Sequence, residues 1–456
     1  MRNIIVTLLL AIAATVSSYA QQSAPVKPLK ELQQAFVDLR FGMFIHFNMP
    51  TFCPEDWPDP DASPALFNPV KLDCSQWAKA AKSAGMTYGC LTTKHHSGFC
   101  IWNTATTPYS VMSSPLKRDV VREFADAFRR EGLRVMLYYS ILDTHHRLRP
   151  HRITPEHVTM IKAQLAELLT GYGDIFCVWF DNACGEGPNG KKQVYDFDGY
   201  IELIRKYQPN ACIFNDYGPD TRWIGNESGT ARYEEWMVVP HELCFRAEKQ
   251  TDGPLTEGSL NGIYNTWGDL GSQELIRYSR GLAFCPSEVD MSIRPGWFYH
   301  PEEEPHSLER LMRTYMTSVG GSALFNLNIP PMPSGRFDPR DVQRLKEFGD
   351  ALKEAFGQEL SVPHTVARED VSETQCVFRI DFAEETAVNY IALREDISQG
   401  QRVERFVIES DGSRLTDGTT VGNLRICPLK GAKTRQLKLW IVAARDHVPS
   451  LDIRLY

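Results

Sequence analysis

Short apolar runs alternate with amphipathic stretches about eight times over some 300 residues, and this alternation constrains the fold more than any other feature. A strand followed by a helix, repeated in this way, predicts a parallel sheet with helices packed against it. The simplest closed form is a (β/α)₈ barrel, and an open doubly wound sheet is the alternative. No G-x-G-x-x-G motif follows the first apolar run, which weakens the dinucleotide-binding version of the open sheet.

Eight segments are predicted as the strands of this barrel. They are residues 41–47, 88–96, 134–140, 175–181, 211–216, 263–268, 282–290 and 322–328, of which 263–268 is the weakest candidate. The stretches between them have the apolar spacing of amphipathic helices. Several of these stretches end in glycine, as helices commonly do.

The pattern changes near the C-terminus. Short runs rich in β-branched and aromatic residues follow one another there, separated by turn signals such as SDGS and LKGAK. This pattern predicts a small antiparallel β-sandwich. We therefore expect a barrel domain over residues 21–357 and a C-terminal β-sandwich domain over residues 358–456.

The N-terminus has the form of a secretory signal peptide over residues 1–20. Arg2 precedes an apolar stretch over residues 4–16, and a small-x-small site ends at Ala20. A membrane-spanning helix needs about 20 apolar residues, so we expect export and cleavage rather than anchoring. The mature chain is then periplasmic or extracellular, with no membrane association. Eleven cysteines are present, several within apolar runs, and most are expected to be buried thiols.

Net charge argues against a nucleic-acid partner, because the chain carries −8 and has no block of lysine and arginine. Polar side chains instead gather where the predicted strands end. In a parallel barrel the carboxyl ends of all strands meet at one mouth, where active sites lie. The residues at these ends are His46, His95, His96, Asp181, Asn215, Asp216, Glu288, Asp290 and Asn328.

One apolar run, residues 175–180, ends directly in a carboxylate, Asp181. An unpaired buried charge is costly, so this carboxylate must be solvated, paired or placed in a cleft. Glycoside hydrolysis needs one ionised and one protonated carboxyl group, and Asp181 suits the nucleophile. Spacing alone leaves the partner acid open among Glu227, Glu234, Glu235, Glu288 and Asp290.

The adjacent His95 and His96 allow two interpretations. Zinc binding would need further ligands at convergent spacing, and neither H-E-x-x-H nor H-x-H occurs. Neutral imidazoles that hydrogen-bond to substrate hydroxyls fit better, and one structural plus one solvated histidine is the simplest alternative. Arg294 and Trp297 follow a strand, in a segment that contains a turn signal. They are either substrate contacts or parts of a surface loop held in place by its aromatic residues. A serine hydrolase is disfavoured because G-x-S-x-G is absent.

Six ordered segments together resemble the α-L-fucosidases of glycoside hydrolase family 29. They are RFGMFIHF, AKSAGMTYGCLTTKHHSGFCIW, VWFDN, RWIGNESGTA, SEVDMSIRPGWFYHPEEE and SVGGSALFNLNIPP. The tail segment REDISQGQRVERFVIE is also similar to the C-terminal sandwich of that family. The resemblance implies a barrel enzyme that releases terminal L-fucose from oligosaccharides or glycoconjugates. We expect neither a cofactor nor a metal.

The resemblance also implies roles for individual residues. Asp181 becomes the nucleophile of a retaining mechanism, and Glu227, in GNESG, becomes the acid/base of the branch that cleaves α-1,3 and α-1,4 fucosyl linkages. The residues expected to contact the substrate are His46, Trp57, His95, His96, Tyr138, Arg294 and Trp297.

The chain departs from the family pattern near the expected pocket, which bears on the preferred sugar or linkage. Ser97 occupies a position where the family usually has aspartate. Asn48, Pro50 and Asp56 replace residues that are commonly glycine, asparagine and glutamate, respectively. Two alternatives to this enzyme remain. One is a carbohydrate-binding protein without turnover on the same scaffold, and the other is a metal-dependent hydrolase that uses the histidine pair.

Overall fold

The computed structural model describes residues 25–148, 153–181, 195–215, 218–244, 255–256, 259–260, 263 and 267–456. The predicted signal peptide, residues 1–20, lies outside the described residues, as does Asp216. Within the described ranges, no helix combines the length and the apolar character needed to cross a bilayer.

Eight parallel strands close into a barrel, which confirms the predicted fold class. With all strands of the chain numbered in sequence order, the barrel consists of β1 Phe41–Ile45, β2 Tyr88–Lys94, β3 Arg134–Ser140, β4 Cys177–Asp181, β5 Cys212–Asn215, β6 Thr221–Trp223, β11 Ser287–Ser292 and β12 Leu324–Asn328. The barrel closes where β1 pairs in parallel with β12, in a register that places Phe41 opposite Phe325.

Most helices of the described residues surround the barrel, while the first closes one end of it and the four-residue sixth lies in an insertion. The helices are α1 Leu29–Asp38, α2 Cys74–Ser83, α3 Val120–Arg130, α4 Pro155–Gly171, α5 Phe197–Tyr207, α6 Gln273–Ile276, α7 Leu308–Ser318 and α8 Pro339–Phe356. Side chains of Asp73, Asp119 and Thr154 accept backbone N–H bonds in the first turns of α2, α3 and α4. In α3, Phe124 and Phe128 lie one turn apart and are both buried, as the apolar spacing predicts.

The predicted sixth strand was wrong. The sixth position of the barrel is filled by β6, Thr221–Trp223, and not by residues 263–268, of which 264–266 lie outside the described residues. Only five residues separate Asn215 at the end of β5 from Thr221, too few for the crossover helix that parallel strands usually need. The strand–helix alternation therefore breaks here, and a strand of three residues with a central arginine gives no apolar run.

A long insertion leaves the mouth of the barrel after β6 and returns at β11. It contains an antiparallel pair, β7 Val238–Pro240 with β10 Leu282–Phe284, and a second pair, β8 Leu255–Thr256 with β9 Ser259–Leu260. The predicted strand 282–290 is thus two strands, β10 in the insertion and β11 in the barrel. The insertion has its own apolar cluster, which includes Trp236, Val239 and Leu275.

The opposite end of the barrel is closed by α1, which precedes β1. Leu32 and Phe36 of this helix belong to the same buried cluster as the barrel-interior residues Phe44, Tyr138 and Trp179. Interior side chains of the barrel are thus packed rather than open, so the accessible functional groups lie at the carboxyl ends of the strands.

The C-terminal domain is a six-stranded antiparallel sheet with its own apolar core. Its strands are β13 His364–Ser372, β14 Gln375–Glu395, β15 Val403–Ser410, β16 Ser413–Gly418, β17 Arg425–Ala444 and β18 Leu451–Leu455. The long strands β14 and β17 pair with each other through two register shifts, and buried residues from both halves of β14, such as Phe378 and Leu393, share one core. The expected domain boundary at 357/358 falls between α8 and β13.

Candidate functional site

The site lies at the mouth of the barrel, where β1 to β4 end. His46 directly follows β1, Tyr138 is near the end of β3, and Asp181 is the last residue of β4. His95 and His96 follow Lys94, the last residue of β2, where the Gly98 N–H bonds back to the His95 carbonyl at 2.9 Å. Because the chain turns there, both imidazoles face the same space, with ring centroids 4.1 Å apart.

Asp181 is partly exposed and held by two neighbouring side chains. The Tyr138 hydroxyl donates a hydrogen bond to Asp181 Oδ2 at 2.7 Å, and His96 Nε2 lies 3.6 Å from the same oxygen. The carboxylate side chain is 23% exposed, so it is both paired and accessible. This arrangement fixes one oxygen of a carboxylate at the rim of a cleft, as a nucleophile requires.

His46 is a neutral hydrogen-bonding group. Burial lowers its pKa to about 3, an effect that the hydrogen bond to Asn328 only partly offsets. Its Nδ1 lies 2.9 Å from Asn328 Oδ1, while the Asn328 amide nitrogen donates to Ser292 and to the Trp297 carbonyl. The amide orientation makes Nδ1 the donor, so His46 Nε2 carries a lone pair that can accept a hydrogen bond from a hydroxyl group.

His95 is likewise kept neutral, since burial and the neighbouring His96 and His46 hold its pKa well below the ordinary value. Its Nδ1 is buried and has no hydrogen-bond partner among the residues that the structure describes. The ring packs against Tyr138 and Phe298 at 5.9 and 5.0 Å. Neutral imidazoles with unused hydrogen-bonding nitrogens suit a polyhydroxylated ligand better than an anion.

Trp297 forms a second wall and connects the histidines to Glu227. Its ring centroid is 4.8 Å from that of His46, and its Nε1 donates a hydrogen bond to Glu227 Oε2 at 3.0 Å. His46 in turn lies 5.8 Å from the ring of Tyr138, which bonds to Asp181. A continuous path of contacts therefore joins the two carboxylates along one aromatic surface.

The surroundings separate the five candidate acids. Glu235 is fully buried in ion pairs with Arg222 and Arg232. Burial raises the pKa of Glu235, but the two guanidinium groups outweigh burial and hold it below the ordinary value, so it stays ionised. Glu234 is half-buried and lies near Asp269 of the insertion, whose pKa it helps to raise after burial, the larger cause.

Glu288 and Asp290 are buried inside the barrel and bonded to tryptophans. Trp179 Nε1 donates to Glu288 at 2.7 Å, and Trp223 Nε1 donates to Asp290 at 3.0 Å. Burial raises the pKa of Glu288 to about 8 and that of Asp290 well above its ordinary value. Of the five, Glu227 is the exposed carboxylate that contacts a residue of the site, Trp297.

Arg294 differs from the expectation that it contacts the substrate. Its side chain has no exposed surface, and its guanidinium lies 2.9 Å from Asp341 and 3.2 Å from Asp338. It also donates to the backbone carbonyls of His300 and Glu303. All of these bonds are internal, so in this structure Arg294 supports the loop that carries Trp297 and does not face the site.

Trp57 lies at the rim. Its ring stacks on His96 with centroids 4.8 Å apart and an angle of 21° between the planes, while 51% of the side chain remains exposed. A half-exposed indole stacked on a site histidine offers a flat apolar face next to the carboxylate that His96 approaches. The ring is therefore open to a ligand, and its contact with the substrate stays a prediction.

Two of the departures from the family pattern contact each other beneath the histidine pair. The Ser97 hydroxyl donates to Asn48 Oδ1 at 3.3 Å, and Asn48 Nδ2 donates to the Phe99 carbonyl at 3.1 Å. Both side chains are buried. The amide of Asn48 therefore joins the loops after β1 and β2, where an aspartate at position 97 would meet an acceptor oxygen.

Three contributing residues were missed by sequence reasoning. Ser140 pairs with His96 Nδ1 at 2.7 Å, Phe298 packs on both His46 and His95, and Lys94 forms a fully buried pair with Asp143 at 3.4 Å. Ser140 could have been found because it ends a predicted strand. The other two give no local signal, since their partners lie far away in sequence.

Metal binding has no structural support within the described part of the chain, where no group of three or more potential ligand side chains converges. Among the described cysteines, all ten are free thiols and only Cys53 is not fully buried. Cys184 lies outside the described residues.

Comparison with known proteins identifies the family. A family model described as alpha-L-fucosidase matches residues 56–355. Alpha-L-fucosidase 1 of Arabidopsis thaliana is 34% identical over 458 residues, which cover 92% of this chain and 86% of the relative. A crystal structure of a glycoside hydrolase 29 family member from an unknown rumen bacterium superposes with a TM-score of 0.78 at 34% identity, covering 95% of this chain and 77% of that one.

A further crystal structure, from Bacteroides ovatus, superposes with a TM-score of 0.82 at 35% identity and covers 95% of this chain and 76% of that one. The similarity therefore extends over the barrel and the C-terminal domain alike. The family model, the relative and the structure from the rumen bacterium point to the same family. The chain belongs to the α-L-fucosidases of glycoside hydrolase family 29.

Proposed function

We propose that this α-L-fucosidase releases terminal L-fucose with retention of the anomeric configuration. The Asp181 carboxylate attacks the anomeric carbon while Glu227 gives its proton to the departing glycosidic oxygen. The products of this step are a fucosyl ester on Asp181 and the free aglycone. Glu227, now ionised, takes a proton from water, the water oxygen attacks the anomeric carbon, and the ester bond breaks to release fucose.

One observation carries this proposal. Asp181 and Glu227 are accessible carboxylates that border the same aromatic surface, one through Tyr138 and the other through Trp297. A retaining mechanism requires about 5–5.5 Å between the two carboxyl groups, close enough to act on one acetal from opposite sides. The neutral imidazoles of His46 and His95, which lie along this surface, supply hydrogen bonds to sugar hydroxyls without adding charge.

The preferred linkage is proposed to be α-1,3 or α-1,4 on a branched glycan. Support comes from the segment RWIGNESGTA, which resembles the branch of the family with that preference and places Glu227 on its loop. Comparing initial rates on α-1,2-, α-1,3-, α-1,4- and α-1,6-fucosylated oligosaccharides tests this directly. A preference for α-1,2 or α-1,6 substrates would contradict the proposed linkage and leave the mechanism intact.

We further propose that the protein is exported and that residues 1–20 are removed, because the N-terminal segment has the three parts of a signal peptide. Fractionation of the producing cell with N-terminal sequencing of the mature protein tests this. A mature chain that begins at Gln21 outside the cytoplasm supports the proposal, and an uncleaved cytoplasmic chain contradicts it.

The acid/base assignment is tested with Glu227→Ala. We expect hydrolysis of substrates with poor leaving groups to fall by roughly 10²–10⁴-fold, because proton donation to the departing oxygen is lost. On an activated substrate such as dinitrophenyl α-L-fucoside, where hydrolysis of the ester limits the rate, added azide should restore turnover and give α-L-fucosyl azide, since azide needs no general base to attack the ester. Glu234→Ala is the matched control, a nearby glutamate outside the site, and should behave as wild type. Unchanged kinetics for Glu227→Ala would show that another residue is the general acid.

A further inference from the structure

Glu227 lies on a short loop, residues 224–232, that we call the acid loop. Two backbone bonds attach this loop to β11, from Ile224 N–H to the Glu288 carbonyl at 2.9 Å and from Gly229 N–H to the Asp290 carbonyl at 3.1 Å. Within the loop, Asn226 Oδ1 accepts hydrogen bonds from the backbone of Ser228 and Thr230. The loop therefore has a defined shape, and its position depends on what holds its two ends.

A buried ion cluster holds the end of the acid loop. Glu235 accepts bonds from Arg222 of β6, from Arg232 Nη1 at 3.1 Å and from the Ser287 hydroxyl at 2.8 Å. Arg232 also donates through Nη2 to the Ile224 carbonyl at 2.7 Å, so it bridges Glu235 and the first residue of the loop. The three charged side chains are nearly or fully removed from solvent, where such bonds are directional and strong.

Side chains of the C-terminal domain bind the segment that follows the acid loop. Gln401 is 4% exposed; its Oε1 accepts from Met237 N–H at 2.8 Å and its Nε2 donates to the Glu235 carbonyl at 3.0 Å. The amide thus satisfies one backbone group on each side of Trp236. Thr419 adds a bond to the Tyr233 carbonyl at 3.1 Å, and Arg445 lies over the Trp236 ring at 3.7 Å.

We infer that the C-terminal domain positions the general acid, with Gln401 fixing Glu235, Glu235 fixing Arg232 and Arg232 fixing the acid loop. This inference rests on the proposed role of Glu227. A general acid must come within hydrogen-bond distance of the leaving oxygen, and a displacement of about 1 Å can cost up to about 100-fold in rate. Gln401 is thus a positioning residue that acts through backbone and side chains of the insertion.

This role predicts a selective defect rather than a general one. A substrate with a poor leaving group needs proton donation in the first step, whereas a dinitrophenyl fucoside departs without it. Displacing the acid loop therefore lowers kcat/KM, which reports the first step, only for the first kind of substrate. Loss of folded protein, in contrast, lowers the rates on both kinds in the same proportion.

The test is Gln401→Met in the full-length enzyme, because methionine keeps the volume of glutamine and removes both hydrogen bonds. We expect kcat/KM on phenyl α-L-fucoside to fall about tenfold or more, within the range for a misplaced acid. On the dinitrophenyl substrate, kcat/KM should change less than about twofold. Gln273→Ala is the matched control. It removes another hydrogen bond between the insertion and the C-terminal domain, from Gln273 Nε2 to Glu404 at 2.9 Å, and should leave kcat/KM unchanged on both substrates.

Glu227→Ala measured alongside separates the possible failures. If it shows the selective defect and Gln401→Met shows equal losses or none, the positioning role is overturned and the acid assignment stands. If Glu227→Ala shows no selective defect, the acid assignment and this inference both fall. Should Gln401→Met not fold, Gln401→Glu serves in its place, since it retains the acceptor for Met237 N–H and loses the donor to the Glu235 carbonyl.

Discussion

Glu288 is a carboxyl group that the barrel keeps protonated at neutral pH, and replacing it with glutamine should change the pH dependence of stability. Its Oε1 accepts bonds from Trp179 Nε1 at 2.7 Å and from Asn326 Nδ2 at 3.1 Å. Its Oε2 is buried and has no hydrogen-bond partner among the described residues. Burial raises the pKa to about 8 from the ordinary 4.5, and the two bonds only partly counter this. In Glu288→Gln the amide oxygen can keep both bonds without a titratable group.

The magnitude follows from proton linkage. Between pH 4.5 and about 8 the folded protein holds a proton on Glu288 that the unfolded chain has released. The folded state binds more protons in this window, so the free energy of unfolding falls as pH rises through it. At about 1.4 kcal/mol per pKa unit, a rise from pH 5 to pH 7.5 costs the wild type about 3 kcal/mol through this residue, and the variant avoids that loss.

The assay is urea denaturation of wild type and Glu288→Gln at pH 5 and pH 7.5, followed by tryptophan fluorescence of the barrel. The difference between the two proteins isolates Glu288 together with its coupling to Asp290, because titrating groups that do not interact with Glu288 contribute equally to both. We expect the difference in unfolding free energy to shift by about 3 kcal/mol in favour of the variant on going from pH 5 to pH 7.5. A difference that is the same at both pH values would refute a protonated, buried Glu288.

Three further predictions concern residues beneath and within the site. Asp143→Asn leaves Lys94 as an uncompensated buried charge and should lower the unfolding free energy by about 3–5 kcal/mol in urea denaturation; a loss below about 1 kcal/mol would show that the pair is solvated. Ser97→Asp places a carboxylate against Asn48 Oδ1 and should cost about 1–3 kcal/mol by the same assay, partly recovered in Ser97→Asp with Asn48→Gly; additive effects would contradict their coupling. The His46 imidazole, with a pKa of about 3, should show no titration between pH 5 and 8 in nitrogen-detected NMR, and a midpoint near 6.5 would contradict its burial.

The fold was predictable because most barrel strands are apolar runs that a periodic pattern reveals. The sixth strand was not, since Thr221–Trp223 is too short for periodicity and is held by its pairing with β5 and β11. Its register depends on neighbours that are distant in sequence. Local patterning therefore identified the architecture and missed the strand that begins the insertion.

The site was predictable where a residue's position along a strand decides its exposure. Asp181 and His46 fall at strand ends for this reason, and the structure places both at the mouth. Arg294 shows the limit of such reasoning, because Asp338 and Asp341, which bury its charge, come from the start of α8. Spacing alone likewise left five candidate acids, of which the family resemblance selected Glu227, and the pairing of Glu235 with two arginines appears only in the structure.

The measurement that tests the central claim most directly is trapping of the covalent intermediate with 2-deoxy-2-fluoro-L-fucosyl fluoride. The fluorine at C2 slows both steps, while the fluoride leaving group lets the first proceed, so the fucosyl ester accumulates. Peptide mass spectrometry should then place a single label on Asp181. A label on another residue, or full inactivation without any covalent adduct, would contradict the assignment of Asp181 as the nucleophile.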